Sequence, residues 1–257
     1  TLYGKKGYDL INREAKFLDQ IFDLISLRIP KPIYVSSDPE NPFVGYEKID
    51  GISLSRCFSK IAKEGQINIA KQLGMFLSEL HSPGIYQRAS TIWKRARDFS
   101  SDLFRSEWQN RFDKIQDIAY PLLNSDQKSW VTRLFQEFLN EKDNFDFNPV
   151  VVHGDFDTSN ILVNPTTCQV TGIIDFEESN IYDPAVDFLF YELDDSFLEH
   201  VLASYNGFKD AYFKRRMRFY YCRSGLIYIT YGLENDLEPM VDYGLQLLDK
   251  RMKVFHK

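Results

Sequence analysis

The sequence predicts a mixed α/β fold of the α+β kind, with a small sheet-containing N-terminal part and a larger, mostly helical remainder. Three observations carry this expectation. Residues 33–49 hold two short β-prone runs around a turn, and residues 151–174 hold three short apolar runs separated by polar loops. Most of the rest shows apolar positions at helical spacing. At 257 residues the chain is long enough for one large domain or two modest lobes with a real core.

Composition narrows the class. Hydrophobic residues make up 44% and charged residues 26%, the balance of an ordinary globular protein. The net charge of −6 argues against a nucleic-acid partner and favours a cationic small molecule. Cys57, Cys168 and Cys222 are odd in number and widely spaced, which suits reduced thiols and neither a disulfide framework nor a zinc site. No apolar run approaches the ~18 residues that span a membrane. The opening Thr-Leu-Tyr-Gly-Lys-Lys-Gly does not form a signal peptide. A cytoplasmic, soluble monomer is expected, with no membrane association.

Taken in order, residues 8–27 carry Leu10, Ile11, Phe17, Leu18, Ile21, Phe22, Leu24 and Ile25 at helical spacing, and Pro30 and Pro32 end the run. Two strands, Ile33 to Ser36 and Phe43 to Ile49, flank the turn at 37–42. A helix is expected at 67–81, with Ile69, Leu73, Phe76, Leu77 and Leu80 on one face and His81 as a structural residue. Residues 92–118 should form one or two aromatic-rich helices. Asn124-x-x-Gln127 marks the start of another at 125–141, whose Trp130, Leu134, Phe135, Phe138 and Leu139 form a buried stripe. Asn144 to Pro149 reads as a linker. Asp183-Pro184 reads as a helix start, and two more helical stretches, 208–231 and 236–255, complete the chain.

The chemistry concentrates in Val151-Val-His-Gly-Asp-Phe-Asp-Thr-Ser-Asn-Ile-Leu-Val163, followed by Thr171-Gly-Ile-Ile-Asp-Phe-Glu177. An apolar strand enters His153-Gly154-Asp155, a second follows Asn160, and a third delivers Asp175. One carboxylate, Asp155, can accept a hydroxyl proton. Asn160 and Asp175 offer hard oxygens for Mg²⁺ on nucleotide phosphates. Order and spacing match a protein kinase's H-R-D-x-x-x-x-N loop and D-F-G segment, with Gly154 in place of the Arg and Glu177 in place of the last Gly.

His-Gly-Asp-x-x-x-x-Asn with a downstream Ile-Ile-Asp-Phe resembles the aminoglycoside phosphotransferases and their kinase-like relatives, which include choline, homoserine and methylthioribose kinases. The resemblance implies a protein-kinase-like two-lobed fold. Residues 1–50 would be the remainder of a nucleotide-binding lobe and hinge, and 51–257 the catalytic and substrate-binding lobe. It implies Asp155 as catalytic base, Asn160 and Asp175 as Mg²⁺ ligands, and Glu14 as the first-helix Glu that helps hold the phosphates of ATP or GTP. Residues 41–51 resemble the hinge strand of the 2″-type aminoglycoside kinases, so the backbones of Glu47 and Ile49 are expected to meet the purine. For a polycationic drug the same resemblance points to Glu192, Asp194, Asp195, Glu199 and Asp236. An enzyme of this kind confers antibiotic resistance by modifying the drug.

The chain departs from that pattern in two places. The family's glycine-rich hairpin and strand lysine are not found before the first helix, so the N-terminal lobe reads as incomplete; Lys5, Lys6 and Gly7 lie too close to that helix to replace them. Asn160 stands where the 2″-type enzymes often carry His, which moves the chain toward the wider family. Three readings therefore stand side by side. The first is a small-molecule kinase for an aminoglycoside, or for choline, homoserine, methylthioribose or a macrolide. The second is a kinase-like binding module without catalysis, and the third a metallohydrolase built on His-x-Asp.

Overall fold

The structure, a computed structural model, describes residues 4–93 and 99–254, without the side chains of 4–6, 195 and 254. In chain order its principal elements begin with α1 (Gly4–Ile21), β1 (Pro32–Val35), β2 (Val44–Tyr46), β3 (Ile52–Ser53), α2 (Leu54–Cys57), α3 (Lys63–Leu80) and α4 (Pro83–Ala89). Then come α5 (Ser101–Ile118), α6 (Ser125–Leu139), β4 (Val150–Val152), β5 (Ile161–Asn164), β6 (Gln169–Ile173) and β7 (Asn180–Tyr182). Helices α7 (Asp195–Ser204), α8 (Phe213–Cys222), α9 (Ser224–Glu234) and α10 (Glu238–Val254) follow. The mixed, mostly helical architecture expected from the sequence is present. Contacts divide the chain into two compact units, Thr1–Asp98 with Pro149–Phe208, and Phe99–Asn148 with Lys209–Lys257.

The first unit contains all the strands. β1 and β2 form an antiparallel ribbon, β3-β5-β6 a three-stranded sheet, and β4 pairs with β7. Helix α1 buries Phe17, Leu18 and Ile21, and the 3–4 residue spacing of a helix puts Glu14 on that same face. Helix α3 buries Ile69, Leu73, Phe76, Leu77 and Leu80, as its periodicity predicts. It meets α7 backbone to backbone at Gly74, where a Cβ would lie 2.4 Å from the Val201 carbonyl oxygen.

The second unit is a helical assembly with an aromatic core. Asn124 caps α6 through the amides of Asp126 and Gln127, and Gln127 returns a bond to the Asn124 amide, completing the capping box foreseen in the sequence. Phe138 of α6 stacks on Phe219 of α8 with centroids 3.7 Å apart, and Trp108 of α5 meets Phe219 edge-on at 5.0 Å. The aromatics of α5 and α6 are core.

Several boundaries differ from expectation. The first helix ends at Ile21 and tightens into a 3₁₀ turn at Phe22–Leu24. Asp183-Pro184 opens a 3₁₀ turn, Pro184–Asp187, and not a helix; the Asp183 side chain closes it locally on the Ala185 amide. The stretch 208–231 is two helices, α8 and α9, that meet at Arg223. Within the expected 92–118 span, residues 94–98 lie outside the described residues and the helix proper is α5.

Arg216 of α8 is fully buried and forms a two-pronged pair with Asp210, at 2.9 and 2.7 Å. Burial pushes the Asp210 carboxyl up, but the Arg216 guanidinium and the Tyr212 amide outweigh it and leave it below the usual carboxylate range. A depressed folded-state value means the stabilisation is present above the unfolded pKa and is lost as pH falls. Asp210→Asn removes the negative charge facing a buried guanidinium and is expected to cost about 3–5 kcal/mol in denaturant unfolding. The variant should also show a weaker loss of stability on acidification than the parent protein.

Candidate active site

Local turn chemistry builds the loop that follows β4. The Asp157 amide bonds the Asp155 carbonyl at 2.8 Å, the Asp157 side chain accepts from the Ser159 amide at 2.8 Å, and the Asn160 amide returns to the Asp157 carbonyl at 3.0 Å. This coil brings the Asn160 side chain back onto Asp155, where its NH₂ donates to the carboxylate at 3.0 Å and to the carbonyl at 2.9 Å. Both donors of Asn160 thus point at Asp155. Its side-chain oxygen accepts no hydrogen bond among the described residues and is not sealed from solvent.

Sheet register brings in Asp175. Ile161 pairs with Ile173, so the next rung sets Asn160 against Ile174, whose amide bonds the Asn160 carbonyl at 3.0 Å. Asp175 follows at once in the left-handed region, φ +69°, a conformation that Asp tolerates better than most residues. Phe176 is buried against His153 and Phe17, with centroids at 4.5 and 6.4 Å. Burial pushes the Asp155 carboxyl above its ordinary value, and the Asp175 charge adds to the effect.

Behind the loop sits Asp187, with no exposed surface. Its oxygens accept from the amides of His153 at 2.7 Å and Gly154 at 3.0 Å, the two residues just before Asp155. His153 is buried, which holds its imidazole neutral, and Nε2 lies 3.0 Å from the Ile174 carbonyl. With Nε2–H committed to a carbonyl and its ring packed on Phe176, the buried His153 is an internal strut of the loop. Gly154 is required twice over: φ is +86°, and a Cβ there would lie 2.4 Å from the Glu178 carbonyl oxygen. An Arg in the kinase manner would not fit.

Glu14 reaches this group from α1. Burial, then the charges of Asp175 and Glu177, raise its carboxyl to about 7, against a hydrogen bond from the Phe176 amide. Glu178 is raised by burial and by Glu177, with Arg13 opposing. Tyr46 is raised by burial and by Glu14 and Asp175. The structure therefore gathers Glu14, Asp155, Asp175, Glu177 and Glu178 with Tyr46. Sequence reasoning missed Tyr46, Glu177 and Glu178 as members. An acidic pair right after the Asp-Phe motif was the available signal for the last two.

The donor set fits Mg²⁺ only as a partial shell. Among the described residues no three His, Cys, Asp or Glu converge on a single metal position. The free oxygen of Asn160 and the Asp175 carboxylate supply hard ligands from two residues. That suits an ion which keeps several waters and takes substrate phosphate oxygens, and does not suit an all-protein cage.

Glu47 is exposed, 4.0 Å from Arg28, and Ile49 is buried against Gly172 of β6. Glu47 follows β2 directly and borders the Pro32–Tyr46 rung of the β1–β2 ribbon, and Ile49 lies beyond that ribbon. Glu192 and Glu199 are exposed in the first unit. Asp194 caps α7 through the Ser196 amide at 2.7 Å, and its other oxygen accepts from Lys63 at 2.8 Å. The Lys63 and Ser196 bonds hold it well below the usual carboxylate range. Asp195 starts α7, but its side chain lies outside the described residues. Asp236 belongs to the second unit, where it makes the left-handed turn (φ +54°) between α9 and α10.

The fold has counterparts among solved structures. The fold is similar to the GDP and kanamycin complex of APH(2″)-IIIa, with TM-score 0.85 and 23% identity over 98% of this chain and 85% of that one. It is also similar to the GDP complex of wild-type aminoglycoside 2′-phosphotransferase-IIIa, with TM-score 0.84 and 24% identity over 95% and 82% of the two chains. A macrolide 2′-phosphotransferase from Brachybacterium faecium matches with TM-score 0.67 and 16% identity over 94% and 81%. The family model described as "Phosphotransferase enzyme family" matches residues 6–220, a span that holds Glu14, Asp155, Asn160, Asp175 and Asp187. A kinase-type enzyme with a braced aspartate loop is what these observations describe, and the chain belongs to the phosphotransferase enzyme family.

Proposed function

We propose that this enzyme transfers the γ-phosphoryl group of a nucleoside triphosphate, ATP or GTP, to a hydroxyl of a small molecule, with an aminoglycoside as the leading acceptor. The observation that carries the reading is the Asn160 NH₂ held on the Asp155 carboxylate, with Asp175 one rung away across the β5–β6 hairpin. Asp155 accepts the hydroxyl proton, the acceptor oxygen bonds to the γ-phosphorus, and the bridging oxygen leaves on the nucleoside diphosphate. Asn160 and Asp175 would hold Mg²⁺, which supplies charge neutralisation on the phosphates when bound. Glu14 would serve the phosphates through a cation paired with its carboxylate, and the backbones of Glu47 and Ile49 would meet the base. Residues 1–50 then act as the nucleotide side and 51–257 as the catalytic and acceptor side.

An acceptor with several ammonium groups suits a chain of net charge −6 whose exposed carboxylates Glu192 and Glu199 follow the catalytic core. Asp194 and Asp195 are proposed to take part, although Asp194 is already bound to Lys63. The kanamycin complex of a similar fold supports the aminoglycoside reading, and the macrolide phosphotransferase makes a macrolide the second candidate. Among the described residues no helix is long and apolar enough to cross a membrane. We place the enzyme in the cytoplasm as a monomer, conferring resistance by modifying the drug.

The deciding experiment is Mg²⁺-dependent turnover of ATP and GTP against a panel of aminoglycosides, macrolides, choline, homoserine and methylthioribose. Turnover stimulated by an aminoglycoside is expected; stimulation by a macrolide alone would transfer the assignment. Asp155→Asn should lower kcat by ~10²–10⁴ and leave the nucleotide KM nearly unchanged. Asp175→Asn and Asn160→Ala should instead raise the Mg²⁺ concentration for half-maximal rate, and an unaltered metal requirement in both would remove them from the metal site. Replacing Glu192 and Glu199 together by Gln should raise the acceptor KM but not the nucleotide KM. That difference should shrink as the Debye length falls from ~30 Å at 0.01 M salt to ~8 Å at 0.15 M.

A further inference from the structure

The buried chain behind the catalytic loop runs further than Asp187. His81, at the end of α3, places Nε2 3.1 Å from Asp187 Oδ2, and its Nδ1 lies 2.8 Å from the hydroxyl of Tyr205. All three side chains are buried, and the rings of Tyr205 and Phe188 stand edge-on to the imidazole. A carboxylate only accepts, so Nε2 must carry a proton. Burial, with Asp187 and Asp183 nearby, raises the Tyr205 phenol well above its ordinary value, so its O–H stays available as a donor. An imidazole whose single proton sits on Nε2 presents a lone pair on Nδ1 to receive it.

We propose that Tyr205 and His81 are positioning residues: the Tyr205 hydroxyl fixes His81 as the Nε2–H tautomer, and His81 fixes the Asp187 carboxylate that holds the amides preceding Asp155. The opposite tautomer would turn a lone pair toward Asp187 Oδ2, and the carboxylate would have to rotate away from the amides of His153 and Gly154. Packing alone does not account for the arrangement, because a Phe at 205 would give the same ring contacts. The inference rests on the reading of Asp155 as the proton acceptor.

Three variants and one spectroscopic measurement decide it. His81→Gln places an amide NH₂ where Nε2 lay and keeps the donor to Asp187; His81→Asn places it near Nδ1 and loses that donor. The expected kcat falls about three- to tenfold in Tyr205→Phe, and about 10- to 100-fold in His81→Asn, with His81→Gln within about threefold of the parent protein. Nucleotide KM should stay within about twofold in Tyr205→Phe and His81→Gln, since neither touches the metal ligands. Long-range ¹H–¹⁵N spectra of the unliganded protein should show His81 with its proton on Nε2. A proton on Nδ1, a silent Tyr205→Phe, or equal losses in Gln and Asn variants would overturn the proposal. A fall in nucleotide affinity that tracks the fall in kcat would do so too. Should His81→Asn not fold, Tyr205→Phe and His81→Gln still decide the matter. Absence of turnover in the parent protein would defeat the phosphotransfer reading, whereas the tautomer measurement judges the network by itself.

Discussion

The two hydrogen bonds that the Asp187 carboxylate accepts from the His153 and Gly154 amides are the constraint on which the rest of the site depends. Strand β4 has three residues and a single ladder partner, β7, too little pairing to fix the backbone that leaves it. Asp187 supplies the missing anchor from below. Charge-assisted bonds from backbone amides are short and strong, and in a dry interior they hold geometry well. Once 153 and 154 are fixed, the turn at Asp157 and the bond from Asn160 leave the Asp155 side chain little freedom.

In front of that anchor the protein does the electrostatically unfavourable thing. It gathers Glu14, Asp155, Asp175, Glu177 and Glu178, and burial, with neighbouring carboxylates adding to it, raises the pKa of Glu14, Asp155 and Glu178. Such crowding destabilises an empty site and favours whatever cation enters it. Glu14 is pushed to about 7, by burial first and then by the charges of Asp175 and Glu177. Like-charge repulsion within the folded chain is a cost in stability of the kind that functional sites carry.

The second unit solves a different problem. Its helices carry the stacked and edge-on rings of Trp108, Phe112, Phe135, Phe138 and Phe219, which bury large apolar area in fixed orientations. Arg216 lies inside this assembly, its charge met by Asp210 and its face laid on the Phe147 ring at 5.0 Å. A charge is tolerated there only because both its hydrogen bonds and its π contacts are satisfied.

The sequence by itself determined the elements and the chemistry that are encoded locally. The α3 stripe, the Asn124 capping box and the strand–loop–strand run from Val151 to Ile174 follow from spacing and turn residues a few positions apart. Asp155, Asn160 and Asp175 could be named because their order along the chain carries the motif. What could not be read were outcomes of local competition: whether Asp183-Pro184 opens a helix or a 3₁₀ turn, and where residues 208–231 break. Only the tertiary structure decided which distant groups meet. Tyr46 and Glu14 reach the aspartates from separate segments, and Asp194 finds Lys63 from the far side of the sequence. The same holds for the Tyr205–His81–Asp187 chain, joined across α3, the turn after β7 and the end of α7. Burial and charge proximity are properties of the packed molecule, and periodicity in one segment holds no record of the segment that will pack against it.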